Sequence, residues 1–459
     1  MIKRNALAGL SAWRKSANRK PLIIRGARQV GKSTLVEMFA KQFRQFIYLN
    51  LDTIEDRELF AEERPFKQII DAIFFSRNAA KDYKNTLLFI DEIQSSPFAM
   101  KQLRYFYEKA PKLAVIAAGS LFEAVVRDFS GSFPVGRVEF MYLHPLSFSE
   151  YLTAINEPLT LESYNSTPVP VYAHQKLLSL YHEFTLLGGF PEIVNHWVQH
   201  RDLSALQKIY QALQESYMND IEKYASNDTV RQMISRILHL VPFYSGQRIT
   251  MNNFGQSGYS GREVKNVLDV LQNSMLIQII YPSTRTEMPL EPDFRKAPRL
   301  QFIDTGLMNY RMGIQDSYFS LDNLSDIYKG KILEHQIGCA LINRDTNYLG
   351  NIRFWVRHKN QSHAEIDFLL QHKGELLPVE VKSGKSGRLR SLHSFMDRSS
   401  VKYAVRLWNK PVKNDEVRTI SGKRFVLINL PYYLAEQIEK HYEWALSQVV
   451  APLNTTATD

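Results

Sequence analysis

The residues best placed to do chemistry lie in Pro21–Thr34, which reads PLIIRGARQVGKST. A short apolar run, Leu22-Ile23-Ile24, breaks at Gly26. From there the spacing is Gly26-x-x-x-x-Gly31-Lys32-Ser33, followed by the helix-prone Leu35–Ala40. A strand, a glycine-bracketed loop and a helix start can turn the consecutive N–H groups of Gly26, Ala27, Arg28, Gln29, Val30, Gly31, Lys32, Ser33 and Thr34 around phosphate oxygens. The helix N-terminus adds partial positive charge there. Lys32 would bring a full charge to the β- and γ-phosphates, and Ser33 a hydroxyl to Mg²⁺. A chance glycine-rich turn is the alternative, and the strand-loop-helix context argues against it. The stretch reads as a nucleoside triphosphate site.

Carboxylates to serve that site come from the next strands. Phe46–Leu51 reads as a strand, Ile54–Phe60 and Lys67–Phe75 as helices, and Thr86–Ile90 as a buried strand ending in Asp91-Glu92. Residues at the C-terminal end of a buried parallel strand face the ligand crevice. Asp91 is therefore expected to hold Mg²⁺ and Glu92 to take the proton of the attacking water. Leu113–Ala118 is another buried strand, ending at Gly119-Ser120. Ser120 can sense the γ-phosphate or cap the following helix. Arg137 opens a strand running to Leu143. It can reach phosphates, in cis or from a neighbouring subunit, or pair with Glu139 or Asp128.

A second chemistry lies near the C-terminus. A helix beginning at Gly330 carries Glu334, with Leu333, Ile337 and Leu341 on one face. Two strands follow, Glu365–Leu370 and Leu376–Lys382, joined by a turn at Lys373-Gly374. Alternation puts Glu380 and Lys382 on one face, and antiparallel pairing can bring Asp367 beside them. Paired carboxylates hold a hard divalent cation, and the lysine positions or deprotonates a nucleophile. Cross-strand ion pairs would explain the same residues without catalysis. Lys382, Lys385, Arg388 and Arg390 form a basic tract that could follow a phosphate backbone.

Between the two chemistries, Val171–Asn195 and Leu206–Tyr224 show helical periodicity and read as a lid and connector. Ile249–Leu276 reads as a short helix, a turn at Gly255–Gly258 and a second helix. Ser260 and Glu263 form a capping box, and Val264, Val267, Leu268 and Leu271 an apolar face. With strands at Met275–Tyr281 and Leu300–Asp304 this fits a winged helix-turn-helix, its Arg262, Lys265 and Asn266 facing DNA. Such a unit can equally be a packing module.

The 459 residues imply about two to four domains. Hydrophobic residues make up 44% and charged residues 23%, as in ordinary globular proteins rather than disordered ones. A net charge of +10 is compatible with nucleic-acid contact. The single cysteine, Cys339, fits a reducing compartment. No apolar run is long enough for a signal peptide or a membrane helix, so a cytoplasmic location without membrane contact is expected.

Gly26–Ser33, Leu87–Glu92, Ala117–Ser120, Gly136-Arg137 and Pro145-Leu146-Ser147-Phe148 together resemble the AAA-related P-loop ATPases of bacteria and archaea, near the STAND signalling branch. Leu186-Leu187-Gly188-Gly189-Phe190-Pro191-Glu192 resembles the glycine-proline motif of their helical region. Asp367, Glu380 and Lys382, with Glu334 on the preceding helix, resemble the PD-(D/E)xK nucleases, although Ile366 replaces the usual proline. These resemblances imply an α/β architecture: a P-loop ATPase core over residues 1–155, a helical connector over 156–225 and a winged-helix-like segment over 226–325. A restriction-endonuclease-like domain over 326–445 and a tail over 446–459 complete it. They imply ATP and Mg²⁺ as cofactors, with a second divalent cation in the nuclease-like domain. The implied partners are DNA, a protein, or another copy through the ATPase domain. Three readings follow: an ATP-driven switch or motor, an ATP-gated metal-dependent nuclease, or a signalling ATPase whose last domains only bind a partner.

Overall fold

The computed structural model describes residues 1–61, 64–119, 136–222, 225, 227–315, 331–344, 352–357, 364–382 and 389–450. The first unit runs α1 (Ala6–Lys15), β1 (Leu22–Arg25), α2 (Lys32–Ala40), β2 (Gln45–Asn50), α3 (Ile54–Glu58) and α4 (Phe66–Ser76). It continues through β3 (Thr86–Asp91), α5 (Pro97–Lys109), β4 (Ala114–Gly119) and β5 (Glu139–Tyr142). Its strands form a five-stranded sheet in the order β2-β3-β4-β1-β5, with every pairing parallel. Alternate residues feed opposite faces. Leu22, Ile24, Leu87, Phe89 and Ile116 pack with Leu10 of α1 and Leu35 and Val36 of α2. Ile23, Leu88, Ile90 and Val115 pack with Ile69 and Ile73 of α4 and Leu103 and Phe106 of α5. Burial on both faces is why β3 and β4 read as unbroken apolar runs.

Parallel strands place all their C-terminal ends on one edge of the sheet. The loop after β1, the end of β3 and Gly119 share that edge. The same polarity corrects the expectation that Arg137 reaches the phosphates of its own chain. It precedes β5, whose Glu139 lies beside Leu22 at the start of β1, so Arg137 sits at the edge opposite the phosphate loop. It pairs there with Glu108 at 3.1 Å, and not with Glu139. Ser120 and Asp128 lie outside the described residues.

The middle of the chain is α6 (Phe148–Ala154), α7 (Pro158–Asn165), α8 (His174–Leu187), α9 (Pro191–His200), α10 (Leu203–Glu222), α11 (Asp228–Tyr244), α12 (Gly261–Asn273), β6 (Ile277–Ile280), β7 (Arg299–Phe302) and α13 (Thr305–Arg311). The helix expected over Val171–Asn195 is two helices. Gly188 adopts φ +72° and Pro191, with no N–H to donate, starts α9. In α12 the Ser260–Glu263 capping box forms, and Val264, Val267, Leu268 and Leu271 are the buried face. The short helix expected before Gly255 is a single 3-10 turn, Phe254–Gln256. β6 and β7 pair antiparallel, with Gln278 opposite Gln301.

The last unit is α14 (Lys331–Asn343), β8 (Arg353–Val356), β9 (Glu365–His372), β10 (Glu375–Val381), α15 (Arg390–Met396), β11 (Tyr403–Trp408), β12 (Lys413–Arg418), β13 (Arg424–Pro431) and α16 (Ile438–Val450). Its six-stranded mixed sheet has the order β12-β13-β11-β10-β9-β8. Leu333, Ile337 and Leu341 of α14 are buried against the core, as their spacing requires. Among the described residues no helix is long and apolar enough to cross a membrane.

Candidate functional site

The loop after β1 owes its path to two backbone positions. Gln29 adopts φ +64° and Gly31 φ +91°, the left-handed region that glycine enters without cost. At Gly26 a Cβ would stand 2.4 Å from the Leu143 carbonyl oxygen, so only glycine lets β1 and the chain after β5 approach so closely. Ala27 and Val30 are buried anchors. Lys32, at the first turn of α2, turns back so that Nζ donates to the carbonyls of Gly26 and Ala27, both at 3.0 Å. Burial lowers its pKa to about 8, with Glu92 and Asp91 pulling the other way.

Asp91 ends β3 and accepts the Ser33 hydroxyl at 2.6 Å. Glu92 follows at φ +50° and accepts from Gln94 Nε2 at 2.5 Å. Burial raises the Glu92 carboxyl above its ordinary range, the Gln94 hydrogen bond opposing it. A cavity of about 570 Å³ joins these groups; Gln29, Gly31, Lys32, Ser33, Thr34, Asp91 and Glu92 line its floor. The adjacent Ser33–Asp91 oxygens and a lysine with no carboxylate partner suit a Mg²⁺–phosphate pair.

The second cluster forms where the β9–β10 ladder ends. The last register pair is Val379 with Phe368. Beyond it Asp367 Oδ2 accepts the Val381 N–H at 2.7 Å, in place of a ladder bond. Lys382 Nζ donates to Glu380 Oε1 at 2.5 Å. Glu380 is buried, and its other oxygen, Oε2, has no hydrogen-bond partner. Burial first, and then the charge of Asp367, hold Glu334 and Glu380 well above the carboxylate range. Burial likewise raises Asp367. Against the effect of burial, Glu380 and its neighbours keep Lys382 above an ordinary lysine.

Among the described residues no three His, Cys, Asp or Glu side chains converge as a ready metal cage. The three-carboxylate ligand set expected from Glu334, Asp367 and Glu380 is thus not assembled, because Lys382 occupies one Glu380 oxygen and the Val381 N–H one Asp367 oxygen. Two carboxylates remain adequate for a small hard cation that keeps most of its waters, and the orphaned Glu380 Oε2 fits that use. Of the basic tract, Lys382 is committed to Glu380, while Lys385 and Arg388 lie outside the described residues.

Residues 18–152 match the AAA domain family. This part of the chain is an AAA-type P-loop ATPase domain. Such a domain takes a nucleotide, typically with Mg²⁺. Residues 178–318 match a domain of unknown function (DUF8612) and residues 329–433 another (DUF4143). Among solved structures the chain is similar to a Walker-type ATPase of Pyrococcus abyssi at 15% identity, over 68% of this chain and 96% of that one, with a TM-score of 0.41. It is similar to the Orc1 protein of Aeropyrum pernix, solved in complex with DNA, at 11% identity over 70% and 95%, with a TM-score of 0.30. It is also similar to the RuvB Holliday junction branch migration motor of Thermotoga maritima, at 15% over 60% and 89%, with a TM-score of 0.27. No curated protein matches the sequence.

The ATPase domain's cavity is roofed from outside it. Glu192, Asn195, His196 and Gln199 of α9 line its upper wall. From α10, Asp220 pairs with Arg28 at 2.5 Å, and the Tyr217 hydroxyl donates to the Arg28 carbonyl at 2.7 Å. Sequence reasoning placed α9 and α10 as a lid and connector without assigning any of their residues to the cavity. The one local signal was Gly188-Gly189-Phe190-Pro191, just before them.

That signal marks a close crossing. A Cβ on Gly188 would stand 2.2 Å from Asp304 Oδ1, and one on Gly189 2.4 Å from the Leu146 carbonyl. Asp304 Oδ2 accepts the Gly189 N–H at 2.7 Å and Oδ1 the Leu307 N–H at 2.9 Å. Asp304→Ala leaves two buried donors unmet and removes the cap of α13. It is expected to cost about 2–4 kcal/mol in chemical denaturation, and a loss under about 0.5 kcal/mol would refute this role. Burial pushes the Asp304 pKa up to about 6. Its folded value thus exceeds its unfolded one, so the ionisation-linked part of its contribution to stability is full below about pH 4 and lost as pH rises through about 6, while the hydrogen bonds it accepts persist.

Proposed function

We propose that this protein is a cytoplasmic ATP-hydrolysing switch whose N-terminal domain governs a metal-dependent, nuclease-like unit acting on DNA. The units are residues 1–155, a helical lid over 156–225, a winged-helix-like segment over 226–325 and the nuclease-like domain over 326–445, with a tail at 446–459. The observation that carries the reading is the meeting of Asp367, Glu380 and Lys382 where β9 and β10 part, in a chain that also holds an ATPase domain.

At the first site the loop from Gly26 to Thr34 binds the phosphates, Lys32 neutralises them, and Ser33 and Asp91 hold Mg²⁺. Glu92 accepts the proton of the water whose oxygen attacks the γ-phosphorus, and the β–γ bridging oxygen leaves with ADP. At the second, Asp367 and Glu380 would hold a divalent cation, with Glu334 as a further acid beside Asp367, and Lys382 would orient the attacking water. A metal ion there supplies charge stabilisation and a lower pKa for its water. On α12, Arg262, Lys265 and Asn266 are exposed and offer a basic face to a groove or backbone.

A second reading, a signalling ATPase whose C-terminal domain binds a protein partner without cleaving anything, is favoured by the Lys382–Glu380 pair, which neutralises the acids internally. One experiment separates the two. ATP hydrolysis is followed with single-stranded, duplex and branched DNA, scoring the same DNA for Mg²⁺- or Mn²⁺-dependent cleavage. Cleavage that disappears in Asp367→Ala is expected. Hydrolysis indifferent to DNA, with no cleavage, would give the second reading.

A further inference from the structure

The acidic cluster contains a cation that comes from another unit. β7 pairs with β6 of the middle segment, yet its first residue, Arg299, reaches into the C-terminal site and is 3% exposed. Its guanidinium carbon lies 4.8 Å from the Phe354 ring centroid and 5.4 Å from that of Phe368. Nη1 donates to the Asp367 carbonyl at 2.8 Å. Nη2 donates to Glu365 Oε1 at 2.5 Å and stands 3.9 Å from Glu334 Oε2. Nε is buried without a hydrogen-bond partner. Two aromatic faces fix the guanidinium and leave one donor unmet, so its position serves the charge of the cluster more than its own hydrogen bonding.

A fixed positive charge here does part of what a divalent cation would do, and it repels one. We propose that Arg299, held by Glu365 and Glu334, is a built-in counter-cation of the Asp367–Glu380 site. It competes with a divalent metal ion, so that the middle unit, through β7, sets the site's metal affinity. The inference rests on the reading of that site as one for a divalent cation. The segment that carries Arg299 also carries Asp304, which grips Gly189 at the start of the ATP-cavity roof, so the counter-cation sits on the element lying between the two sites.

The test is Mn²⁺ binding to the purified full-length chain without nucleotide, read by electron paramagnetic resonance and calorimetry. Asp367→Ala reports whatever binds elsewhere. Arg299→Met keeps an apolar chain between Phe354 and Phe368 and removes the charge. It is expected to bind Mn²⁺ about tenfold tighter or more than the native chain, since a like charge at this range is strongly repulsive even when screened. Equal or weaker binding, with the Asp367-dependent component present, would overturn the role of Arg299 and leave the metal site standing. No Asp367-dependent binding in any variant would overturn both. Should Arg299→Met fail to fold by circular dichroism, Arg299→Gln decides. A glutamine keeps a polar amide in reach of Glu365 but carries no charge, so tighter binding than native supports the proposal and equal or weaker binding overturns it.

Discussion

Glu92→Gln binds ATP about as tightly as the native chain and hydrolyses it about 10²–10⁴-fold more slowly, the usual share of a positioned general base. The geometry isolates that effect. Glu92 follows β3, with its carboxylate in the cavity and Oε2 held by Gln94 Nε2 at 2.5 Å. A glutamine of the same shape can turn its amide oxygen to Gln94, so the wall of the cavity is kept. Lys32, Ser33 and Asp91, which would carry the phosphates and Mg²⁺, are untouched. What is lost is the ability to take a proton, an ability that burial strengthens by raising the carboxyl's affinity for it. Fluorescent-nucleotide titration and phosphate release separate binding from turnover. Equal hydrolysis by the two proteins would remove Glu92 from the role of base.

The parts of this arrangement that could be read from the chain are those that local physics determines. β3 and β4 announce themselves because burial on both faces demands unbroken apolar runs. The phosphate loop does so because positive φ at Gly31 and contact at Gly26 require glycine. The α12 capping box is written in Ser260 and Glu263, three residues apart. Asp367 and Glu380 were placed together because a short hairpin fixes the register between their strands. What was not legible depends on distant packing. Gly188-Gly189 marks a close crossing, but nothing in Glu192, Asn195 or His196 says that α9 folds over the phosphate loop. Arg299 stands just before the expected wing strand Leu300–Asp304 and carries no signal of its own, and its partners are 35 and 66 residues away, at Glu334 and Glu365. Arg137 was misplaced for the converse reason. An arginine at the start of a strand has a definite side of a parallel sheet, and sheet polarity puts it on the edge away from the nucleotide.

Lys32→Ala should lower ATP affinity by about 10²-fold or more, because two charge-assisted contacts to phosphate, each about 1.5–3 kcal/mol, disappear together. Lys32 is 8% exposed, and its ammonium is met by two neutral carbonyls at 3.0 Å. That environment lowers its pKa to about 8, so the ammonium is under-stabilised until an anion arrives. Phosphate oxygens supply what burial removed and draw the pKa back up. ATP binding should therefore take up a proton above pH 8, and native affinity should fall about tenfold per pH unit there as the free lysine deprotonates. This second observable guards against a trivial cause. A loop that merely collapses in Lys32→Ala would weaken binding as well, but it gives no account of the pH dependence in the native chain. A native affinity flat from pH 7 to about 9.5, measured by titration in buffers of matched ionic strength, would show that Lys32 does not carry the phosphate charge. A fall that begins near pH 8 and is absent from Lys32→Ala would tie the affinity to this one ammonium, since the other groups in the cavity would titrate alike in both proteins.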